Sequence, residues 1–194
     1  DPFLQSVMPN VMYRNQGGTR FTNVTYSGGF GHLQKGHAVV FADFDNDGDN
    51  DVFQQMGGAF PVDGFNNALY ENPGFGHHWI TVQLVGDQSN RSAIGARLHV
   101  QVTEGGTNRS IYRHVNSGGS FGANPLRQTI GLGSASHLEV LEVFWPTTGV
   151  TQTFTDVPVD RVIRVVENDA SYETVPLESV EFQLEHESMH VEPR

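Results

Sequence analysis

Nine consecutive residues, Asp43-Phe44-Asp45-Asn46-Asp47-Gly48-Asp49-Asn50-Asp51, contain five aspartates. Carboxylates this close repel one another unless a cation sits among them. A hard divalent ion that takes six to eight oxygens answers that repulsion, and Ca²⁺ is the usual one. In loops of this kind positions 1, 3 and 5 supply side-chain oxygens, position 6 is a glycine at the sharp turn, and position 7 supplies its carbonyl. The spacing assigns the side chains of Asp43, Asp45, Asp47 and Asp51 as metal donors, and the backbone carbonyl of Asp49 as a further one. A plain acidic turn needs only one or two Asp, Asn or Gly residues, not a regular array.

The flanks define the kind of loop. His37-Ala-Val-Val-Phe-Ala42 precedes it and Val52-Phe-Gln-Gln55 follows it. Both are short runs rich in β-branched and aromatic residues, the signature of strands. An EF-hand has helices on both sides and a glutamate at position 12, where this chain has Gln54. The spacing therefore predicts a strand–loop–strand calcium site.

Composition extends the strand reading to the whole chain. The 194 residues include 22 Gly and 13 Phe and no Cys. Glycine-rich turns between Phe- and Val-rich runs predict an all-β protein. Without cysteine there is no disulfide framework, thiolate metal site or thiol catalysis. The net charge of −11 argues against nucleic acid and anionic membrane surfaces as partners. No apolar run approaches the roughly 20 residues of a membrane helix. The opening Asp1-Pro2 fits a processed or excised segment.

Along the chain, residues 10–25 read as a hairpin turning at Gly17-Gly18. Asn10-Val-Met-Tyr-Arg-Asn returns as Asn67-Ala-Leu-Tyr-Glu-Asn, a partial internal repeat. The second copy leads to the strand His78–Val85 instead of a second acidic loop. Further strands are expected at 96–103, 109–115, 128–132, 138–145, 150–154 and 161–167, spaced as in a sandwich or barrel. The uneven alternation of Leu138–Trp145 suggests a strand covered on both faces. The tail from Asn168 is acidic, yet Val180, Phe182 and Leu184 alternate on one face, which reads as an edge strand over 179–186 or an arm that docks on a partner by β-augmentation.

Two segments together resemble a known arrangement. Asn10 to Gln55 is similar to an FG-GAP or VCBS-type repeat, through Asn10–Asn15, Gly17–Phe21, Val24-Thr25 and Gly36 to the Asp43–Asp51 loop. Residues 72–167 resemble the ASPIC/UnbV domain of cartilage acidic protein-like proteins. The motifs are His77–Ile80, Ser89–Arg97, Gly118–Phe121, Gly131–Gly133 and Phe144-Trp145-Pro146. The family often has a basic residue where Phe144 stands and Ser-Gly in place of Thr147-Thr148-Gly149. The resemblance implies an extracytoplasmic, calcium-binding protein associated with adhesion or matrix interaction. Such repeats usually stack into a β-propeller, and one calcium loop here implies a single blade that packs on its own second domain or on another chain.

The expected organisation is a calcium-binding repeat over 1–72, a β-sandwich or jelly-roll-like domain over 73–167, and an acidic tail over 168–194. No nucleophile elbow, phosphate loop or zinc signature appears. His77-His78 at a strand start reads as structural, and His186 and His190 as a solvated pair. His32, His37, His99, His114 and His137 show no partner in the sequence, and Trp79 and Trp145 read as core. Asn23, Asn90 and Asn108 begin glycosylation sequons. The expected function is a non-enzymatic structural, adhesive or docking subunit of a larger assembly, secreted, periplasmic or at the cell surface, with 170–194 as a candidate docking arm. The alternative is a carbohydrate-binding module reading a glycan with a Trp or Tyr face.

Overall fold

The computed structural model describes residues 9–33, 35–58, 64–118 and 123–182, and among them it contains strands and no helix. The hairpin β1 (Tyr13–Gln16) and β2 (Arg20–Asn23) forms as the glycines predict. Gly17 and Gly18 take φ of 60° and 76°, the left-handed region that glycine enters without penalty. It stands apart from a three-stranded antiparallel sheet of β3 (Gly36–Ala42), β4 (Asp51–Met56) and β5 (Ala68–Tyr70). Both copies of the internal repeat brace this sheet. Asn10 Nδ2 donates to Gln54 Oε1 at 3.2 Å, and Met56 N donates to Asn67 Oδ1 at 3.0 Å. The second copy has become the sheet's third strand.

The remaining strands build a β-sandwich. One sheet has the order β13-β12-β6-β9, from β6 (His78–Val85), β9 (Gln128–Gly133), β12 (Arg161–Val166) and β13 (Tyr172–Val175). The other has the order β11-β10-β7-β8, from β7 (Arg97–Glu104), β8 (Thr107–His114), β10 (His137–Trp145) and β11 (Val150–Pro158). All pairings are antiparallel except β6 with β12.

Alternation fills the space between the sheets. Ile80, Val82 and Leu84 of β6 meet Leu98, Val100 and Val102 of β7, with Trp145, Leu141 and Ile163 among the other buried members. Each such side chain contributes roughly 1.5–3 kcal/mol by leaving water. Of the 25 buried hydrophobic residues among those described, only Ala42, Val52 and Met56 precede the sandwich. The core thus belongs to the second unit.

The uneven pattern of β10 has a different cause from the double coverage expected. Leu138 and Leu141 both point inward, opposite Val157 and Phe154 of β11. Both strands change phase together, and Asp156 in the crossing region has a left-handed φ of 54°. The outer face of β10 stays half-buried. Strand β11 also runs beyond Phe154, where the sequence reading ended it.

In the acidic tail, β13 pairs with β12 from Val162↔Val175 to Val165↔Tyr172. Residues 179–182 form no strand, contrary to the alternation of Val180 and Phe182. Leu184, His186, His190 and the rest of that alternating run lie outside the described residues.

A buried carboxylate locks one end of the sandwich. Glu167 is 2% exposed. It accepts from Asp87 N at 2.9 Å, Ser89 N at 2.6 Å, Ser89 Oγ at 2.8 Å and Thr148 Oγ1 at 3.0 Å. Burial alone would raise its pKa, but these donors outweigh it and hold the group down at about 2. It ties the β6–β7 connection to the β10–β11 turn.

Candidate metal centre and the joint around it

The acidic loop joins β3 to β4, and their antiparallel register ends on the pair Ala42↔Asp51. The strands hold the two ends of the loop together, so Asp43 and Asp51 begin close. Asn46 and Gly48 adopt left-handed φ of 60° and 102°, which curl the chain inward. Phe44 packs on Phe53 of β4, ring centroids 6.3 Å apart, and anchors the outer side.

Asp43, Asp45 and Asp47 each place a carboxylate oxygen within 4.8 Å of the others. Asp51 is 1% exposed. Its oxygens accept from Phe44 N at 3.0 Å and Asn72 N at 2.8 Å, so it closes the loop as well as bearing charge. Asp45 accepts from Asp47 N at 3.2 Å, and Asp47 from Asp49 N at 3.0 Å. One oxygen each of Asp43 and Asp49 is buried with no hydrogen-bond partner. The Asp49 carboxylate thus lies partly buried beside the cluster but outside the three whose oxygens lie within 4.8 Å of one another.

The electrostatics follow from that crowding. Burial first, then repulsion from Asp47, Asp51, Asp45 and Asp43, pushes the Asp49 carboxyl up to about 7. Burial also raises Asp43 and Asp45 above the ordinary range, with neighbouring aspartates adding to the shift. A group of carboxylates that resists ionisation, with two donorless buried oxygens, is a site short of positive charge. The donor set is all oxygen, which suits a hard cation. These residues fit calcium.

The same loop is the joint between the two units. A Cβ on Gly48 would overlap the indole of Trp79, at the start of β6. Arg127, just before β9, donates through Nη2 to the Asp43 carbonyl at 3.0 Å and to Asn46 Oδ1 at 3.2 Å. Phe41 N donates to Asn124 Oδ1 at 3.3 Å. The segment beyond β13 crosses the loop from the other side. Val180 N donates to the Asp45 carbonyl at 2.6 Å, and Asn46 Nδ2 donates to the Glu178 carbonyl at 3.0 Å. The described part of the candidate docking arm thus lies on its own chain. Sequence spacing pointed to the aspartates but not to Trp79, Arg127 or Val180, which are brought in from far along the chain.

The histidines acquire partners that sequence did not show. His78 Nδ1 lies 2.7 Å from Asp160 Oδ2 at the β11–β12 turn. His99 lies 2.7 Å from Glu142 and stacks on Tyr112 at 4.6 Å. His32 lies against Tyr70 at 5.9 Å. Trp145 is fully buried and its Nε1 donates to Gln152 Oε1, whereas Trp79 is half-buried over the loop.

Comparison with protein families gives two matches along the chain. The model for the FG-GAP-like repeat matches residues 4–53, ending just beyond the acidic loop. The model for ASPIC and UnbV matches residues 86–172, from the β6–β7 connection to the first residue of β13. The chain carries an FG-GAP-like repeat followed by an ASPIC/UnbV domain. FG-GAP-like repeats are typically extracellular, typically bind calcium and commonly take part in protein interactions, so the pair defines an extracellular-type protein-interaction module. No curated protein matches the chain. No helix among the described residues is long and apolar enough to cross a membrane.

Proposed function

We propose that this chain is a calcium-stabilised, non-enzymatic docking subunit that works outside the cytoplasm as part of a larger assembly. Calcium would be held by the side chains of Asp43, Asp45, Asp47 and Asp51, with Asp49 contributing its carbonyl. When bound, the ion supplies the positive charge that lets the carboxylates ionise together. The chain's own residues do the rest: Trp79, Arg127 and Val180 fasten the ordered loop to the sandwich and to the tail.

The observation that carries the docking role is the uncovered apolar surface of the repeat unit. Among the described residues, ten of the 16 exposed large hydrophobics precede residue 72, including Val39, Phe41 and Leu69 of its sheet. A cavity of about 520 Å³ opens beside Val11, Met12, Val39 and Phe41. The first unit has its strands but almost no core, so its apolar faces call for a covering partner. Light scattering on the purified chain, together with a dye that fluoresces on apolar surfaces, tests this. The wild type is expected to bind the dye in its folded state and to self-associate as concentration rises, and the double substitution Val39→Ser and Phe41→Ser to reduce both. A wild type that stays monomeric and dark would contradict the reading.

A further inference from the structure

The chain's net charge is −11, with 11 Lys and Arg in all. Four of those cations, Arg91, Arg113, Arg127 and Arg164, line two adjoining cavities of the sandwich. The larger is about 780 Å³ and the smaller about 280 Å³, and both are walled by Pro125 and Arg127. Two carboxylates face this space. Glu173 pairs with Arg164 at 3.3 Å, and Asp43 lines the smaller cavity, where the acidic loop engages it. The other guanidiniums are less satisfied. Arg91 makes no side-chain hydrogen bond or ion pair among the described residues. Among the described residues Arg113 donates only to the carbonyl of its neighbour Tyr112, at 3.0 Å. In so acidic a protein, four arginines against two carboxylates lining these cavities are a local reversal of charge.

The lining chemistry narrows the ligand. Planar guanidiniums match carboxylates in two-point contact. Between them stand the Ser92 hydroxyl, the amide nitrogen of Gln83 and the amide oxygen of Gln128, whose other amide atoms, like both of those of Asn116, are engaged within the chain, and the apolar walls Pro125 and Leu126. A hydroxyl, an amide donor and an amide acceptor suit hydroxyl groups, and flat apolar walls suit the C–H face of a sugar ring. A peptide would bring backbone amides that need ladder partners, whereas these donors are side chains set along open cavities. We propose that this groove binds a linear acidic polysaccharide, with uronate carboxylates seated on Arg91 and Arg113 on the two sides of Arg127. The tryptophans take no part, since Trp145 is buried and Trp79 covers the acidic loop.

The test is calorimetric titration of the full chain, in calcium, with a glucuronate-containing oligosaccharide. Its carboxyl-reduced neutral counterpart and polyglutamate serve as comparisons. The charged sugar is expected to bind and the neutral one not. Arg91→Ala and Arg113→Ala should each weaken binding about tenfold, the size of one charge-assisted contact. Arg14→Ala, on exposed β1 of the other unit, should leave it unchanged. Melting curves matching the wild type would show that the variants fold. The proposal is overturned by no binding, by equal binding of the neutral sugar, by unaltered affinity in both arginine variants, or by tighter binding of polyglutamate, which would make this a peptide groove.

Discussion

Replacing Gly48 by alanine strikes the joint at its tightest point. Two costs arise, and the structure separates them. The backbone at Gly48 has φ of 102°, where a residue with a Cβ is strained by about 1–3 kcal/mol. The new methyl also overlaps the Trp79 indole, and forcing extra volume into a packed contact costs about 1–3 kcal/mol. The sum is about 2–6 kcal/mol, which for a domain of this size lowers Tm by roughly 4–24 °C. A double-mutant cycle with Trp79→Ala, followed by thermal unfolding in calcium, isolates the overlap. Removing the indole abolishes the clash and leaves the strain, so the double variant should be less damaged than the sum of the singles by about 1–3 kcal/mol. Tryptophan fluorescence gives a second readout, because Trp145 is fully buried and Trp79 alone should respond to the loop. Strict additivity of the two substitutions would refute the claim that loop and sandwich are locked through this contact.

Glu167→Gln should cost about 2–4 kcal/mol, because an amide presents a donor to a ring of donors. The wild-type carboxyl sits near 2, below its ordinary 4.5. Its contribution is therefore complete above about 4.5 and lost as pH falls toward 2, so acid unfolding across that window should be flatter in the variant, as circular dichroism would record. Truncation after Val175 removes the contacts of Glu178 and Val180 with the acidic loop. It should lower stability by about 1–2 kcal/mol and weaken calcium binding measured by titration, while β13 and the sandwich persist.

Much of this was legible in sequence, because it is local. The acidic loop declares itself by side-chain spacing, and β6 by a run of β-branched and apolar residues from Trp79 to Val85 that only Gln83 interrupts. The hairpin follows from paired glycines. What sequence hid was pairing across distance. Arg127 reaches Asp43 from 84 residues away and Glu167 reaches Ser89 from 78, and neither charge has a periodic signature. The tail misled for a physical reason. Val180 and Phe182 alternate as in a strand, but Val180 N is spent on the Asp45 carbonyl instead of a ladder. The pairing strand is Tyr172–Val175, whose Glu-Thr centre shows no apolar alternation. The continuation of β11 past Phe154 was masked by Asp156, whose left-handed turn shifts the phase of both strands.

The central claim is that the Asp43–Asp51 loop holds calcium and thereby the joint. Its direct test is the melting temperature of the wild type and of Asp45→Ala, each in chelator and in about 5 mM calcium. An extracellular-type site with Kd of about 10⁻⁴–10⁻³ M would be stabilised by about 1–2 kcal/mol at that concentration, a rise in Tm of roughly 3–8 °C. That rise is expected in the wild type, and its loss in Asp45→Ala. No calcium-dependent shift in the wild type, or an undiminished shift in the variant, would contradict it.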